Sequence, residues 1–133
     1  MESLGACIDS DVLIDHLRNN SQAIERIKKL EKDGYALFTT TINSFELYHG
    51  ALKTEKKEKN VEAVEELLER LILLPLDRRS SKVAAEVLEK LDAEGNKIEF
   101  RDALMAGIVI SNELPITTGN VKHFNRIEGL RLV

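Results

Sequence analysis

The chain has 133 residues, of which 43% are hydrophobic and 32% charged, and its 19 Lys plus Arg stand against 23 Asp plus Glu for a net charge of −4. That length suits a single domain over residues 1–133, and the composition excludes an intrinsically disordered chain. The acidic balance supplies no global field to attract nucleic acid or anionic membrane, so a polyanion partner needs a local patch.

The first short apolar run, Gly5 to Ile8, reads as a buried strand. It carries the one cysteine, Cys7, which excludes an intrachain disulfide and a cysteine-based zinc site and agrees with a reducing cytoplasm. The residues before it lack a basic region, and Asp9 interrupts before any signal-type apolar stretch has formed, so secretion is not expected. Ser10 or Asp11 can cap a helix through Leu17, and Ser21 can cap another carrying Ile24, Ile27 and Leu30 until Gly34 stops it. Ala36 to Thr39 reads as the second strand. Thr41 opens a helical segment to about Lys53, and the charged run from Lys53 to Lys59 leads into Val61, Val64, Leu68 and Leu71 at helical spacing.

Leu73 to Leu76 is a third strand, after which Ser80 or Ser81 opens a helix with Val83, Val87, Leu88 and Leu91 inward and Gly95 at its end. The last long helix runs from about Arg101 to Asn112, and its Ala103 to Ile110 stretch is apolar on nearly every face, which marks a deeply packed helix. Pro115 to Thr117 and Leu130 to Val133 complete a set of about five strands. The longest apolar runs, Leu71 to Leu76 and Ala103 to Ile110, fall well short of the ~20 residues a membrane helix needs.

Strands alternating with helices imply an α/β fold, a parallel sheet with right-handed crossovers and helices on both faces. Function in such a sheet gathers beyond the carboxyl ends of the strands, where strand order reverses. The first strand delivers Asp9 and Asp11 to that edge. An isolated aspartate there is more often a helix cap, but Glu46 and Asp102 change the weighing. Glu46 shares a helix face with Ile42, Asn43 and Gly50, a poor place for a solvated charge, and Asp102 opens the most apolar helix in the chain. Acids brought together near buried elements repel one another unless a counter-charge is present. A divalent cation supplies it, and Mg²⁺ or Mn²⁺ prefers carboxylate oxygen and leaves positions for a phosphate and a water. Hydrolysis of a phosphate ester is the chemistry this pattern points to.

Ile8-Asp9-Ser10-Asp11, Glu46-Leu47-Tyr48-His49-Gly50, Arg101-Asp102-Ala103-Leu104 and Thr117-Thr118-Gly119-Asn120 resemble, in that order, the successive motifs of PIN-domain nucleases, and more narrowly of VapC-type toxin ribonucleases. The resemblance spans nearly the whole chain and implies a PIN-like three-layer fold. It further implies that Asp9, Glu46 and Asp102 bind Mg²⁺ or Mn²⁺ for attack of an activated water on an RNA phosphodiester. Thr118 and Asn120 match polar positions that orient a carboxylate or a water. Asn120 and His123 stand where many relatives carry a fourth acid, so Asp11 and Glu99 are candidates to supply the missing charge. Arg101, Lys122 and the lysines of the 53–59 run are candidates to hold RNA phosphates. His123 is expected to pack or hydrogen-bond beside Phe124.

The resemblance also implies a homodimer and a small antitoxin that blocks the acidic site, with Val12, Leu13 and Leu17 as candidate dimer contacts. Three other readings are open on the same sequence. Asp9-Ser10-Asp11-Val12 after an apolar strand also resembles the nucleophile motif of haloacid-dehalogenase phosphatases, where Asp9 would form an aspartyl-phosphate. Asp77, after the third strand, would be the acceptor of a non-catalytic phospho-receiver domain, and the same fold with an acidic set too incomplete to hold metal would be an interaction module. The phosphatase reading needs an acidic pair after a late strand, which here runs into Thr117-Thr118-Gly119-Asn120, and the receiver reading needs a lysine that Pro115-Ile116-Thr117-Thr118-Gly119 does not offer.

Overall fold

Alternation along the first strand divides the interior in two. In the computed structural model, which describes residues 4–133, β1 (Leu4–Ile8) sends Ala6 and Ile8 into one apolar cluster and Cys7 into another. A strand buried on both faces needs helices on both sides, and the chain supplies them. α1 (Ser10–Leu17) and α2 (Ser21–Lys32) lead to β2 (Tyr35–Thr40), and α3 (Thr41–Leu52) and α4 (Lys57–Glu69) lead to β3 (Ile72–Leu74). These four helices enclose the first cluster, with Leu13, Ile27, Leu47 and Val64 among its members. The chain then crosses the sheet through α5 (Arg78–Ala93) and α6 (Phe100–Ser111) to β4 (Ile116–Thr117) and ends with α7 (Val121–Asn125). Leu91, Met105, Val109 and Phe124 from these helices close the second cluster over Cys7 and Ile116.

The sheet is parallel throughout, in the order β3-β2-β1-β4. Strand order therefore reverses between β1 and β4, and the crevice beyond their carboxyl ends is the expected place for a site. The sheet has four strands where the sequence suggests about five. The segment from Leu130 to Val133 makes one bridge, Leu132 to Ile116, held by Ile116 N–H to Arg131 O at 2.8 Å and Val133 N–H to Ile116 O at 2.9 Å. Its partner β4 is two residues long, which leaves no length for a ladder.

The third strand occupies Ile72–Leu74 and stops before Pro75, which has no N–H to extend the pairing. Helix starts also differ from expectation by one to four residues. Asp9 rather than Ser10 or Asp11 caps α1, Asn20 rather than Ser21 caps α2, and Asp77 caps α5 in a reciprocal pair with Ser80. Three of the seven residues of the charged 53–59 run, Lys57 to Lys59, enter α4. The rest forms a turn in which the Thr54 hydroxyl donates to Ala51 O and accepts from the Asn60 amide.

α5 and α6 approach so closely at Gly107 that a Cβ there would lie 2.4 Å from Ser80 O and 2.6 Å from Ala84 Cβ. This contact fixes α6, and with it the residues of its first turn. No helix among the described residues is long and apolar enough to cross a membrane.

Candidate active site

Asp9 follows β1 directly, and its N–H donates to Thr117 O at 3.0 Å, so pairing of β1 with β4 sets its position. Its carboxylate accepts from Ser10 N–H at 2.8 Å and from the Thr118 hydroxyl at 2.8 Å, and the residue is only 2% exposed. Asp102 lies in the first turn of α6 and is 3% exposed. Helix amino termini favour both carboxylates, since the unpaired N–H groups there carry partial positive charge. Glu46 reaches in from α3, part-buried, and its Oε1 accepts from the Ser10 hydroxyl at 2.9 Å.

The three acids meet around one cation that the chain itself provides. Arg101 Nε donates to both Glu46 oxygens at 3.0 Å. Its Nη1 donates to Asp102 Oδ1 at 2.9 Å, and its Nη2 lies 2.6 Å from both Asp9 Oδ1 and Glu46 Oε1. Nη2 also approaches Ser10 Oγ at 2.8 Å and Asn43 Oδ1 at 3.0 Å, so its two hydrogens are shared among four acceptors. Burial alone would push Arg101 toward the neutral form. Hydrogen bonds and charge from Glu46 and Asp9 outweigh it and hold the guanidinium firmly charged. Arg101, expected to be free for RNA phosphates, instead sits among the carboxylates. The repulsion among them is relieved locally.

Asn43 and Ser10 belong to this centre although sequence reasoning passed over them. Asn43 is fully buried, donates to Ile8 O at 3.2 Å and to Thr39 Oγ1 at 2.8 Å, and accepts Ser10 N–H at 3.2 Å. It thereby ties α3 to β1, β2 and α1. The available signal was an amide one turn before Glu46 on the same face of an otherwise apolar helix.

Asp11 stands beside this group without touching Arg101. Its two oxygens accept from Val12 N–H at 2.8 Å and Gly119 N–H at 2.9 Å. Burial, and next the charge of Asp9, push its carboxyl above the usual aspartate range against the pull of those hydrogen bonds. A Cβ at Gly119 would meet Asp11 Oδ2 at 2.7 Å, so a larger residue there would push the Asp11 carboxylate aside. The Thr118 hydroxyl, while donating to Asp9, accepts from Asn120 N–H at 3.0 Å, and the Asn120 amide lies 2.9 Å from His123 Nδ1. His123 is 3.6 Å from Asp102 Oδ2, and its neighbour Phe124 is buried separately in the second cluster.

Asp9, Asp11, Glu46, Glu99, Arg101, Asp102, Asn120 and His123 line one open cavity of about 380 Å³. The five acids named as metal-ligand candidates, Asp9, Asp11, Glu46, Glu99 and Asp102, thus face one space. Lys122 is not among the lining residues. Val12 and Leu13, considered for a dimer contact, are core residues of the first cluster, and Leu17 packs half-buried against it. Asp77, the acceptor in the receiver reading, caps α5 and does not line the cavity.

A family model described as PIN domain matches residues 6–130. The chain belongs to the PIN domain family. Among curated members it is 30% identical over 124 residues to Ribonuclease VapC10 of Mycobacterium tuberculosis, covering 93% of this chain and 89% of that one. It is 25% identical over 124 residues to the tRNA(fMet)-specific endonuclease VapC of Shigella flexneri, covering 93% and 92%. This PIN domain also superposes on VapBC2 from Rickettsia felis bound to a promoter DNA fragment, with a TM-score of 0.90, 23% identity and 98% of both chains covered. DNA-bound VapBC from Salmonella typhimurium gives a TM-score of 0.86 at 26% identity, covering 98% of this chain and 97% of that one.

The donor chemistry of the cavity fits a divalent ion, since three carboxylates from α1's cap, α3 and α6 already converge on one positive centre. Their present spacing is that of a guanidinium. Among the described residues no three of His, Cys, Asp and Glu stand close enough to share an ion.

Proposed function

We propose that this PIN domain is a divalent-metal-dependent endoribonuclease that acts in the cytoplasm as the toxin of a type II toxin–antitoxin pair. The observation that carries the reading is the convergence of Asp9, Glu46 and Asp102, from three separate elements, on one cation position. These three would hold Mg²⁺ or Mn²⁺, with Asp11 and Glu99 adding negative charge at the cavity wall. Bound there, the ion would lower the pKa of a water and neutralise charge developing on an RNA phosphate.

The protein's own part is positioning. Ser10 N–H and the Thr118 hydroxyl fix the Asp9 carboxylate in one orientation, and Asn120 fixes Thr118 through its N–H and His123 through its amide. Their roles follow from those contacts: Thr118 orients a ligand carboxylate, and Asn120 supports the loop that carries it. The cavity is open, as a polymeric substrate requires.

The relatives solved as VapBC complexes support an antitoxin partner. Phe45 and Phe100, next in sequence to Glu46 and Arg101, are 67% and 69% exposed and offer apolar surface for it to cover. A homodimer belongs to the same reading. The edge strand β3 leaves Ile72 and Leu73 exposed, with Leu76 just beyond, and an apolar sheet edge needs a cover.

The test is cleavage of a mixed RNA pool and of a tRNA pool by purified protein with Mg²⁺, Mn²⁺ or chelator, comparing wild type with Asp9→Asn and Asp102→Asn. Cleavage that needs metal and is lost in both variants is the expected result. Metal-independent cleavage, or full activity in either variant, would overturn the assignment; phosphomonoester hydrolysis with intact RNA would return the phosphatase reading.

A further inference from the structure

We propose that Arg101 is a built-in counter-ion that occupies the cation position of the acidic centre in the metal-free protein and competes with the divalent ion for it. The inference rests on the metal-dependent reading above and concerns how that site is kept and opened. The guanidinium touches all three carboxylates, through Nε on Glu46, Nη1 on Asp102 and Nη2 on Asp9 and Glu46. Two of those carboxylates are almost entirely removed from water, so without a cation each would carry a large desolvation cost and their mutual repulsion. Arg101 removes that cost with a charge that cannot be lost by deprotonation.

Guanidinium and metal are mutually exclusive occupants. While the fork lies between the carboxylates, no three of the described acids are spaced to share an ion. An ion held by Asp9, Glu46 and Asp102 would stand where Nη2 and Nη1 now donate, so its entry requires the arginine to leave. Departure is sterically open. The side chain is 24% exposed, and the cavity of about 380 Å³ that it faces is continuous with solvent. The stem has four rotatable bonds, whereas Asp9 is held by Ser10 N–H and the Thr118 hydroxyl, Glu46 accepts from the Ser10 hydroxyl, and Asp102 is set in the first turn of α6. The movable partner in the exchange is therefore the arginine.

The consequence is quantitative. If the metal-competent arrangement, with Arg101 displaced, is a minor fraction of the metal-free protein, the apparent dissociation constant for metal is raised by the inverse of that fraction. Removing the competitor removes that factor.

Calorimetric titration of Mn²⁺ into wild type, Arg101→Gln and Arg101→Lys, each stripped of metal, reads the competition without reference to cleavage. Arg101→Gln is expected to bind about tenfold more tightly or better, and Arg101→Lys, which keeps the charge but not the fork, to fall between. In parallel, the Arg101 Nε–H resonance of ¹⁵N-labelled wild type should move or exchange away as Mg²⁺ saturates the site. Equal or weaker binding by Arg101→Gln, or an Arg101 resonance unmoved at saturation, overturns the proposal while the metal-dependent function stands. Arg101→Lys carries the affinity comparison if metal-free Arg101→Gln does not fold. Absence of metal binding in every form, wild type included, overturns the functional reading and this inference with it; loss of binding in Asp9→Asn alone is the expected control.

Discussion

Cys7 lies in an inner strand of the sheet with no exposure, and burial, followed by the charge of Asp9, pushes its thiol far above the ordinary range against a smaller opposing pull from Arg101. Reactivity belongs to the thiolate, so the folded protein should fail to react with a disulfide reagent at neutral pH and react fully once unfolded by denaturant. Rapid reaction of the native protein, followed by absorbance, would mean that β1 opens readily. A half-buried group makes stability depend on pH. The His16 ring leaves Nδ1 buried without a partner, and burial, then the charge of Arg70, lower its pKa against the weaker attraction of Glu31. Folded and unfolded states then differ as follows: the neutral ring is accommodated fully above the unfolded value near ~6.5, and stability is lost as pH falls from there through the lower folded value. Melting curves at about pH 7.5 and about pH 5 should show a larger fall for wild type than for His16→Gln, because the remaining ionisable groups are common to both. Equal falls would show that His16 is protonated as easily in the fold as outside it. At this scale the acids of the site were legible, since a charge at a strand end, on an apolar helix face or before an apolar helix is conspicuous. Arg101 was not. A basic residue beside an acidic site reads as a phosphate contact, and only three-dimensional placement shows it turned inward.

Strands and long helices were readable because periodicity carries them, whereas their ends depend on which side chain wins a local hydrogen bond. Asp9, Asn20 and Asp77 each win over a neighbouring serine or aspartate of similar capping strength, a contest that sequence leaves open. α7, one turn and a half between Asn120 and Arg126, is too short to show a period. The apolar stretch of α6 was read as deep, and the structure adds the reason for its Gly107. That residue lets the backbone of α6 approach Ser80 and Ala84 of α5. Gly107→Ala would raise helix propensity but force a Cβ into Ser80 O, a backbone atom that cannot turn away. Overpacking of this kind costs about 1–3 kcal/mol, so the variant should unfold at lower denaturant concentration with an unchanged slope. The displacement would propagate along α6 to Asp102, and metal affinity should weaken along with stability. A Gly107→Ala protein as stable as wild type would show that the two helices slide apart freely.

Across the whole molecule, two apolar clusters face away from each other across a thin sheet, and β1 places fully buried residues in both, while β2 adds Leu37 to one and packs Phe38 against the other. β1 also leads into Asp9, so the site rests on the joint between the two halves. Parallel order and a site at the carboxyl edge were legible from alternation of strands and helices. The strand order itself was not, because it depends on which face each crossover packs against. A single four-stranded sheet with a two-residue edge strand has few hydrogen bonds with which to survive the loss of either cluster. Residues 4–133 should therefore unfold in one cooperative step. Tyr35 and Tyr48 pack against the first cluster, so tyrosine fluorescence follows that half alone, while amide exchange in α6 follows the other. Their midpoints in urea should coincide with each other and with far-ultraviolet circular dichroism. On the proposed metal-dependent reading, Mn²⁺ held in the folded state alone by acids from α1's cap, α3 and α6 should raise all three together by an amount set by its concentration over its dissociation constant. Separate midpoints, or a metal-induced rise confined to one probe, would mean that the helices on the two faces fold independently and that β1 does not couple them.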